Sequence, residues 1–204
     1  MTARVDYLNG TLLATLTAPR DMGRTIRAAA VVLVTVLTAA AAQVSIPLPF
    51  TPVPFTLQPM LVLLGAAALG SRLGMASQAL YLLAGIAGLP VFAASPVLPQ
   101  GLGRVLGPTG GYLISYPVAA FLTGWLAERR FDRRYLTSVL AMGAGLGVIF
   151  VLGIAWLAWF AQPAHLGLST ALRTGLYPFL PADIVKVLLA AAIMPRIWKI
   201  TGSR

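Results

Sequence analysis

Apolar residues occur in six long runs along the chain, separated by shorter stretches that are rich in proline, glycine or charge. The runs are Thr25–Ile46, Thr56–Leu69, Leu73–Ala87, Gly110–Ala127, Thr137–Ala161 and Leu176–Pro195. A straight helix needs about 20 apolar residues to cross a bilayer. The second and third runs are shorter, so they are either poorly tilted spans or a compact hairpin with flanking loop buried in protein. The pattern predicts an all-α membrane protein with six transmembrane helices.

Composition supports this class and excludes several others. The chain has 204 residues, of which 58% are hydrophobic and 10% are charged, whereas soluble domains carry about 25% charged residues. It has no cysteine and one histidine, which excludes disulfides, thiolate metal sites and histidine clusters. We interpret that histidine, His165, as a solvated loop side chain and expect no cofactor. The nucleotide-binding pattern G-x-x-x-x-G-K-[ST] is absent, so any ATP must be used by another chain.

The net charge of +10 is distributed in a way that predicts topology rather than nucleic-acid binding. Basic residues flank the apolar runs, and an excess of them marks the cytoplasmic side of a membrane protein. With both termini in the cytoplasm, the outer loops carry only Arg104 and Arg173, and Lys186 lies inside the sixth run. The other basic residues are then all cytoplasmic. They are Arg4, Arg20, Arg24, Arg27, Arg72, Arg129, Arg130, Arg133, Arg134, Arg196, Lys199 and Arg204.

This topology divides the chain into a cytoplasmic tail over 1–24, one transmembrane domain over 25–196 and a short cytoplasmic tail over 197–204. We expect Met1–Pro19 to be poorly ordered or interfacial, without a cleavable signal peptide. The outer loops are Pro47–Phe55, Gly88–Thr109 and Gln162–Gly175. The first two are dense in proline and glycine, which predicts stiff extended loops over the outer mouth. The cytoplasmic loop Glu128–Tyr135 either anchors on anionic lipid or docks a partner.

Asp183 and Lys186 are charged residues inside the sixth apolar run. A charge at the centre of a membrane helix costs roughly 2.5–3.5 kcal/mol on insertion scales, and such residues commonly mark functional sites. Residues at i and i+3 share one helix face, so the two can present one polar patch, roughly 10 Å below the outer end. Pro181 can open the local backbone hydrogen bonds. The two residues alone leave open a ligand site or a self-satisfied ion pair.

Four motifs in sequence give the chain a family resemblance. They are P-V-P-x-T-x-Q at 52–58, G-L-P-V-F at 88–92, G-P-T-G-G-Y at 107–112 and D-x-x-K at 183–186. In this order they are specific, and the chain resembles the BioY family from about Ile26 to Arg196. BioY proteins are the biotin-binding, six-helix S subunits of energy-coupling factor (ECF) transporters in the prokaryotic cytoplasmic membrane. The resemblance implies a transmembrane coupling subunit and two cytoplasmic ATPases as partners, and implies that Asp183 and Lys186 bind biotin.

The resemblance also suggests how biotin would be held. Asp183 can accept a hydrogen bond from a ureido N–H, and Lys186 can donate to the ureido carbonyl or the valerate carboxylate. Arg104 is our candidate for that carboxylate, with a solvated loop arginine as the alternative. Gln58 either lines the pocket or caps the second helix, and Tyr81 is expected to pack rather than bind. The apolar walls are assigned to Phe55, Phe92, Tyr112 and Tyr177.

The sequence departs from the family in two places. Some BioY proteins hold the ureido group with a loop asparagine, but the only asparagine here is Asn9. Ser95, Gln100 or backbone groups would have to replace it. S subunits also tend to carry A-x-x-x-A on the first helix, where small residues admit the coupling subunit. That spacing is missing here, and our candidate docking stripe is Ala30, Val34 and Thr38.

Two other functions are compatible with a polytopic membrane protein. A self-sufficient carrier for biotin or another small vitamin is the main alternative, although many carriers show internal repeats and none is visible between the halves of this chain. An intramembrane enzyme would need a catalytic set such as serine with histidine or two aspartates. The chain has too few such residues within its apolar runs, so we expect no enzymatic activity.

Overall fold

The structure is a computed structural model that describes residues 10–17, 24–95, 99–161 and 166–201. Within these ranges the chain is mostly helical, which confirms the predicted class. The helices are α1 Leu12–Thr17, α2 Arg24–Gln43, α3 Gln58–Leu69, α4 Ser71–Ile86, α5 Leu102–Leu106, α6 Gly110–Glu128, α7 Tyr135–Trp159, α8 Leu168–Gly175 and α9 Leu180–Ile200. A 3₁₀ turn covers Phe131–Arg133. Strands β1, Ser45–Ile46, and β2, Phe55–Thr56, form an antiparallel pair with Ser45 opposite Thr56.

Helices α6 and α7 pack closely at the centre of the bundle, and glycines make this approach possible. A Cβ added to Gly111 would lie 2.1 Å from the Cβ of Trp156, and one on Gly153 would lie 2.4 Å from the ring of Tyr112. Both distances are shorter than any real Cβ contact, so a larger residue at either position would force the helices apart. Glycine lets the two backbones meet, as small residues do at helix interfaces in membranes.

The prediction of six spans is supported only in part by helix length and composition. Helices α2 and α7 are each long and apolar enough to cross a membrane. Helices α8 and α9 pass the same test together, with a bend of 53° between them. Helix α3 is apolar but covers only 12 residues. As expected for a compact hairpin, α3 and α4 are separated by one residue, Gly70, whose φ of 86° favours glycine.

Several predicted boundaries are wrong. Within the predicted N-terminal tail, Leu12–Thr17 is not poorly ordered but forms helix α1, with the side chains of Thr11 and Leu12 buried; its interfacial location stays a prediction. The sixth helix begins at Leu180 rather than Leu176 and continues through Pro195 to Ile200, so the tail predicted over 197–204 is helical for its first residues. Of the two segments predicted to be extended, 47–55 ends in strand β2, whereas 88–109 contains the short helix α5. His165 lies outside the described residues.

The turn between α6 and α7 is fastened to the rest of the fold by its acidic residues. Glu128 Oε1 accepts hydrogen bonds from the backbone N–H and the hydroxyl of Ser71, both at 2.8 Å. Asp132 Oδ2 accepts one from Trp198 Nε1 at 2.5 Å. The guanidinium of Arg133 lies 3.3 Å from the centre of the Trp198 ring. The segment predicted as a lipid anchor or docking loop therefore also joins the α6–α7 turn to α4 and α9. We call these contacts of Glu128, Asp132 and Arg133 the clasp.

Burial raises the pKa of Asp132, an acidic residue of this clasp. Asp132 is 1% exposed, and this desolvation raises its pKa from 3.8 to about 6. The hydrogen bond from Trp198 and the charge of Arg133, whose Nε lies 3.7 Å from Asp132 Oδ1, lower the pKa by a smaller amount. Desolvation disfavours the charged form of a carboxyl group. Asp132 therefore titrates well above the ordinary range of an aspartate.

Candidate ligand-binding site

Asp183 lies in the first turn of α9, where local sequence favours a carboxylate. Pro181 occupies one of the first two helical positions, where its missing N–H is not needed. It therefore starts the helix and does not open it, contrary to our expectation. The backbone N–H of Asp183 donates to the carbonyl of Phe179 at 2.8 Å. The positive end of the helix dipole stabilises an anion in this turn.

Lys186 connects the Asp183 carboxylate to strand β2. Its Nζ donates to Asp183 Oδ1 at 2.7 Å and to the backbone carbonyl of Thr56 at 2.6 Å. The same Nζ lies 3.6 Å from the ring centre of Phe55, a cation–π contact. Asp183 and Lys186 are both buried. The pair is thus a satisfied ion pair, yet both of its residues also line a cavity, so the two alternatives left open by the sequence are not exclusive.

The cavity encloses about 60 Å³ beneath the β1–β2 connection and the segment that follows α4. The structure brings six of the predicted residues into its wall. These are Gln58, Phe92, Arg104, Tyr112, Asp183 and Lys186. The six come from α3, α5, α6, α9 and the segment after α4, so the site is assembled from distant parts of the sequence.

Arg104 is a buried part of this wall. It is 1% exposed, so its interpretation as a solvated loop arginine is wrong. Its Nη2 donates to the carbonyl of Ala93 at 2.8 Å, and its Nε donates to the carbonyl of Pro99 at 2.9 Å. The short helix α5, which the sequence did not predict, supplies the residue. Arg104 therefore holds the covering segment in place and puts a second cation at the cavity.

Gln58 belongs to a chain of hydrogen bonds that crosses the site. Its Nε2 donates to the hydroxyl of Tyr81 at 2.6 Å, and its Oε1 accepts from the hydroxyl of Thr56 at 3.2 Å. Tyr81 in turn donates to the carbonyl of Val91 at 3.1 Å. At the start of α3 the backbone N–H of Gln58 donates to Thr56 Oγ1 at 3.4 Å, so Thr56 rather than the Gln58 side chain takes the capping role. Tyr81 packs edge-on against Phe92 with ring centres 5.6 Å apart.

Three predicted residues lie outside the cavity wall. Phe55 contacts Lys186 from the other side. Tyr177 is 59% exposed, because the turn between α8 and α9 directs Phe179 inward instead. Ser95 is half-buried at the end of a described segment and is not part of the wall. The aromatic wall residues that the sequence analysis missed are Tyr116, Phe150 and Phe179.

One of these missed residues had a usable signal. Tyr116 follows Tyr112 by four residues on α6, which places both on one helix face. Phe150 lies within an apolar helix that is hydrophobic on all sides, so no pattern distinguishes it from its neighbours. Tyr116 and Phe150 are both buried in the structure.

The candidate docking stripe on α2 is mostly turned inward. Thr38 is fully buried, and its hydroxyl accepts a hydrogen bond from Gln78 Nε2 of α4 at 3.2 Å. Val34 is also buried and lies so close to Gly65 of α3 that a Cβ there would be 2.5 Å from its Cγ1. A partner cannot reach the side chain of Thr38, whereas Val34 lies in the wall of an apolar groove. The large hydrophobic side chains that α2 exposes are Val32, Leu33, Val36 and Leu37.

The comparisons with known proteins decide the family. A model described as the BioY family matches residues 12–203. The chain belongs to the BioY family. Among the relatives of this BioY protein is the probable biotin transporter BioY of Pyrococcus horikoshii, 40% identical over 82% of this chain and 93% of the relative. The biotin transporter BioY of Thermotoga maritima is 39% identical over 83% of this chain and 94% of the relative.

A solved structure resembles this BioY chain in both fold and sequence. It is the 2.1 Å crystal structure of the S-component for biotin from an ECF-type ABC transporter. The TM-score is 0.75 at 26% identity, over 87% of this chain and 95% of that one. These relatives and the apolar helices identify a membrane protein of a transporter family. Within the described ranges, no group of three or more histidine, cysteine or acidic residues could hold a metal ion.

Proposed function

We propose that this chain is the biotin-specific S subunit of an ECF-type transporter, and that it captures biotin with high affinity at the outer face of the cytoplasmic membrane. The observation that carries the proposal is a buried cavity whose polar wall combines Asp183, Lys186 and Arg104 with aromatic side chains. Membership of the BioY family supports biotin as the ligand.

The charges of the cavity suit a monoanion with a polar head. Lys186 and Arg104 provide two cations against the single anion of Asp183, so a bound carboxylate would balance the remaining positive charge. Biotin supplies one carboxylate, and its ureido ring offers two N–H donors and one carbonyl acceptor. Asp183 would accept from a ureido N–H, Lys186 would donate to the ureido carbonyl, and Arg104 would bind the valerate carboxylate.

Aromatic side chains supply the apolar part of the site. Phe92, Tyr112, Tyr116 and Phe179 line the cavity and would contact the tetrahydrothiophene ring and the alkyl chain. The enclosed volume of about 60 Å³ is below the roughly 300 Å³ at the lower end of small-molecule pockets. Biotin must therefore displace the cover formed by Val53 and Pro54 on one side and by Phe92 and Ala93 on the other.

Transport by this subunit would depend on other chains. The sequence lacks a phosphate-binding loop, and we propose that two cytoplasmic ATPases power uptake through a transmembrane coupling subunit. We further propose six membrane crossings with both termini in the cytoplasm, because this topology places twelve of the 15 basic residues inside.

A binding measurement on the purified subunit tests the proposal. Labelled biotin should bind without ATP, one per chain, and in a thermal-shift assay biotin should stabilise the detergent-solubilised protein while thiamine and riboflavin should not. Asp183→Ala should weaken biotin binding more than tenfold, equivalent to about 1.4 kcal/mol. An unchanged dissociation constant for this variant would remove Asp183 from the site.

Reconstitution separates the S subunit from the carrier alternative. Liposomes that contain this chain alone should not accumulate biotin, whereas those with the coupling subunit and the ATPases should do so when ATP is supplied. Accumulation by the chain alone without ATP would contradict the proposed dependence on partners and favour a self-sufficient carrier.

A further inference from the structure

A second, apolar groove lies away from the ligand cavity, between α1, α2, α3 and α9. Its volume is about 460 Å³, and every residue in its wall is apolar or glycine. It extends along α2 from Ala30 to Leu37 and is closed on the other side by α3 and α9. Seven residues of helix correspond to a length of roughly 10 Å. A narrow groove of this kind is complementary to a hydrocarbon chain and offers nothing to a polar solute.

A cation precedes the α2 residues that line the groove. Arg27 precedes Ala30 by three residues and Val34 by seven, so helical periodicity places it on the stripe of α2 that lines the groove. Its Nε is buried, and no group within the described ranges accepts a hydrogen bond from it. Arg24 lies one turn further along and is exposed. A guanidinium presents a planar fork of donors that matches phosphate.

The acidic residues of the chain argue against a second copy as the occupant. In the described ranges these are Glu128, Asp132 and Asp183, and each is engaged inside its own fold. A neighbouring copy would therefore leave Arg27 without an anion from any of these residues. A lipid of the surrounding bilayer supplies both the hydrocarbon and the anion.

We propose that this groove binds an anionic phospholipid, with one acyl chain between α2, α3 and α9 and its phosphate against Arg27. The site is separate from the ligand cavity, and the proposal does not depend on the identity of the transported molecule. The lipid fills the groove and places an anion beside the buried Nε of Arg27. A zwitterionic headgroup adds a cation next to Arg24 and Arg27, so it binds more weakly.

Native mass spectrometry of the detergent-released full chain tests this inference, with dioleoyl phosphatidylglycerol and dioleoyl phosphatidylcholine as probes. One phosphatidylglycerol should remain bound per chain, at least tenfold more tightly than phosphatidylcholine. Arg27→Gln should remove this preference, and Ala68→Phe, which places a ring in the groove, should weaken both lipids. Arg129→Gln is the matched control, since that arginine already donates to the carbonyl of Trp125 and lies over its ring, and it should change neither affinity more than twofold.

Other outcomes would overturn the proposal. Equal retention of the two lipids, or undiminished preference in Arg27→Gln, would show that no headgroup site exists. A dimer that carries no lipid would assign the groove to a second copy. If every variant retained its lipid, the groove would be left without an identified occupant. Thermal unfolding and biotin binding of each variant establish that it is folded. A failure of biotin binding in the unaltered chain would bear on the proposed function and not on the groove.

Discussion

Arg104 is the side chain whose burial most changes its expected role. We expect Arg104→Gln to weaken biotin binding at least tenfold, because a buried carboxylate would lose its charged donor. Biotin methyl ester has no anionic carboxylate, so its affinity should change much less. The measurement is a pair of dissociation constants for each variant. Arg173→Gln is the control, since Arg173 is an exposed arginine on α8, and equal losses for both ligands would contradict a carboxylate contact.

Tyr81 acts at the site through its neighbours. Tyr81→Phe removes the hydroxyl that accepts from Gln58 and donates to Val91, so the buried amide of Gln58 and the partly buried carbonyl of Val91 lose this partner. We expect the free energy of unfolding to fall by about 1–3 kcal/mol. Biotin should bind severalfold more weakly, because Phe92 and Gln58 would lose their positions. Tyr135→Phe, at a half-exposed position, should alter neither quantity, and normal binding by Tyr81→Phe would limit Tyr81 to packing.

Charged residues of the site were more predictable than aromatic ones, because Phe92 and Tyr112 were predicted but Tyr116, Phe150 and Phe179 were not. Asp183 and Lys186 stand out in the sequence because a charge within an apolar run is costly. The choice between Tyr177 and Phe179 depends on how α8 meets α9, and that bend is set by tertiary packing rather than by the local pattern. Arg104 was identified as a candidate, but its burial depends on the path of a segment from another part of the chain.

At the scale of helices and turns, Asp132 links the α6–α7 turn to α9 and makes the clasp sensitive to pH. Its pKa is about 6 in the folded protein and about 3.9 in an unfolded chain. The folded state therefore binds the proton of Asp132 more tightly than the unfolded chain does. The stabilisation of the fold by this proton is complete below about pH 4 and is lost as the pH rises through about 6.

Replacing this carboxyl tests the sign of the effect. We expect Asp132→Asn, which keeps an acceptor for Trp198, to be more stable than the unaltered protein at pH 7 by at most about 3 kcal/mol. The advantage should shrink at pH 5. Thermal unfolding of both proteins at the two pH values gives the difference in their stability. The contributions of the other titrating groups cancel in that difference. An advantage that grows toward pH 5 would contradict the raised pKa.

Helix existence was more predictable than helix ends. The six apolar runs correspond to α2, α3, α4, α6, α7 and α9, because long apolar segments carry a strong signal. Pro195 was taken as an end of the last run, yet α9 continues to Ile200, where Trp198 is buried against Asp132. Such tertiary contacts, together with the short helices α5 and α8, have no counterpart in local hydrophobicity.

At the scale of the whole molecule, the absence of cysteine makes the proposed topology directly measurable. A single cysteine at Gln100 should react with a membrane-impermeant maleimide in intact cells, because the segment before α5 is proposed to lie outside. A cysteine at Lys199, an exposed position near the end of α9, should react only after the cells are lysed. The opposite labelling pattern would show that the orientation is inverted. Labelling of both cysteines in intact cells would contradict the proposed topology.

The ion pair between Asp183 and Lys186 near the start of α9 has a consequence for the protein without a ligand. Lys186 already has a carboxylate, a backbone carbonyl and an aromatic ring as neighbours, so neither charge of this pair lacks a partner before a ligand arrives. A vitamin can exchange these contacts for equivalent ones of its own, whereas a bare ion cannot. The arrangement proposed to receive biotin therefore avoids, in the vacant protein, the large cost of an isolated charge in a low-dielectric interior.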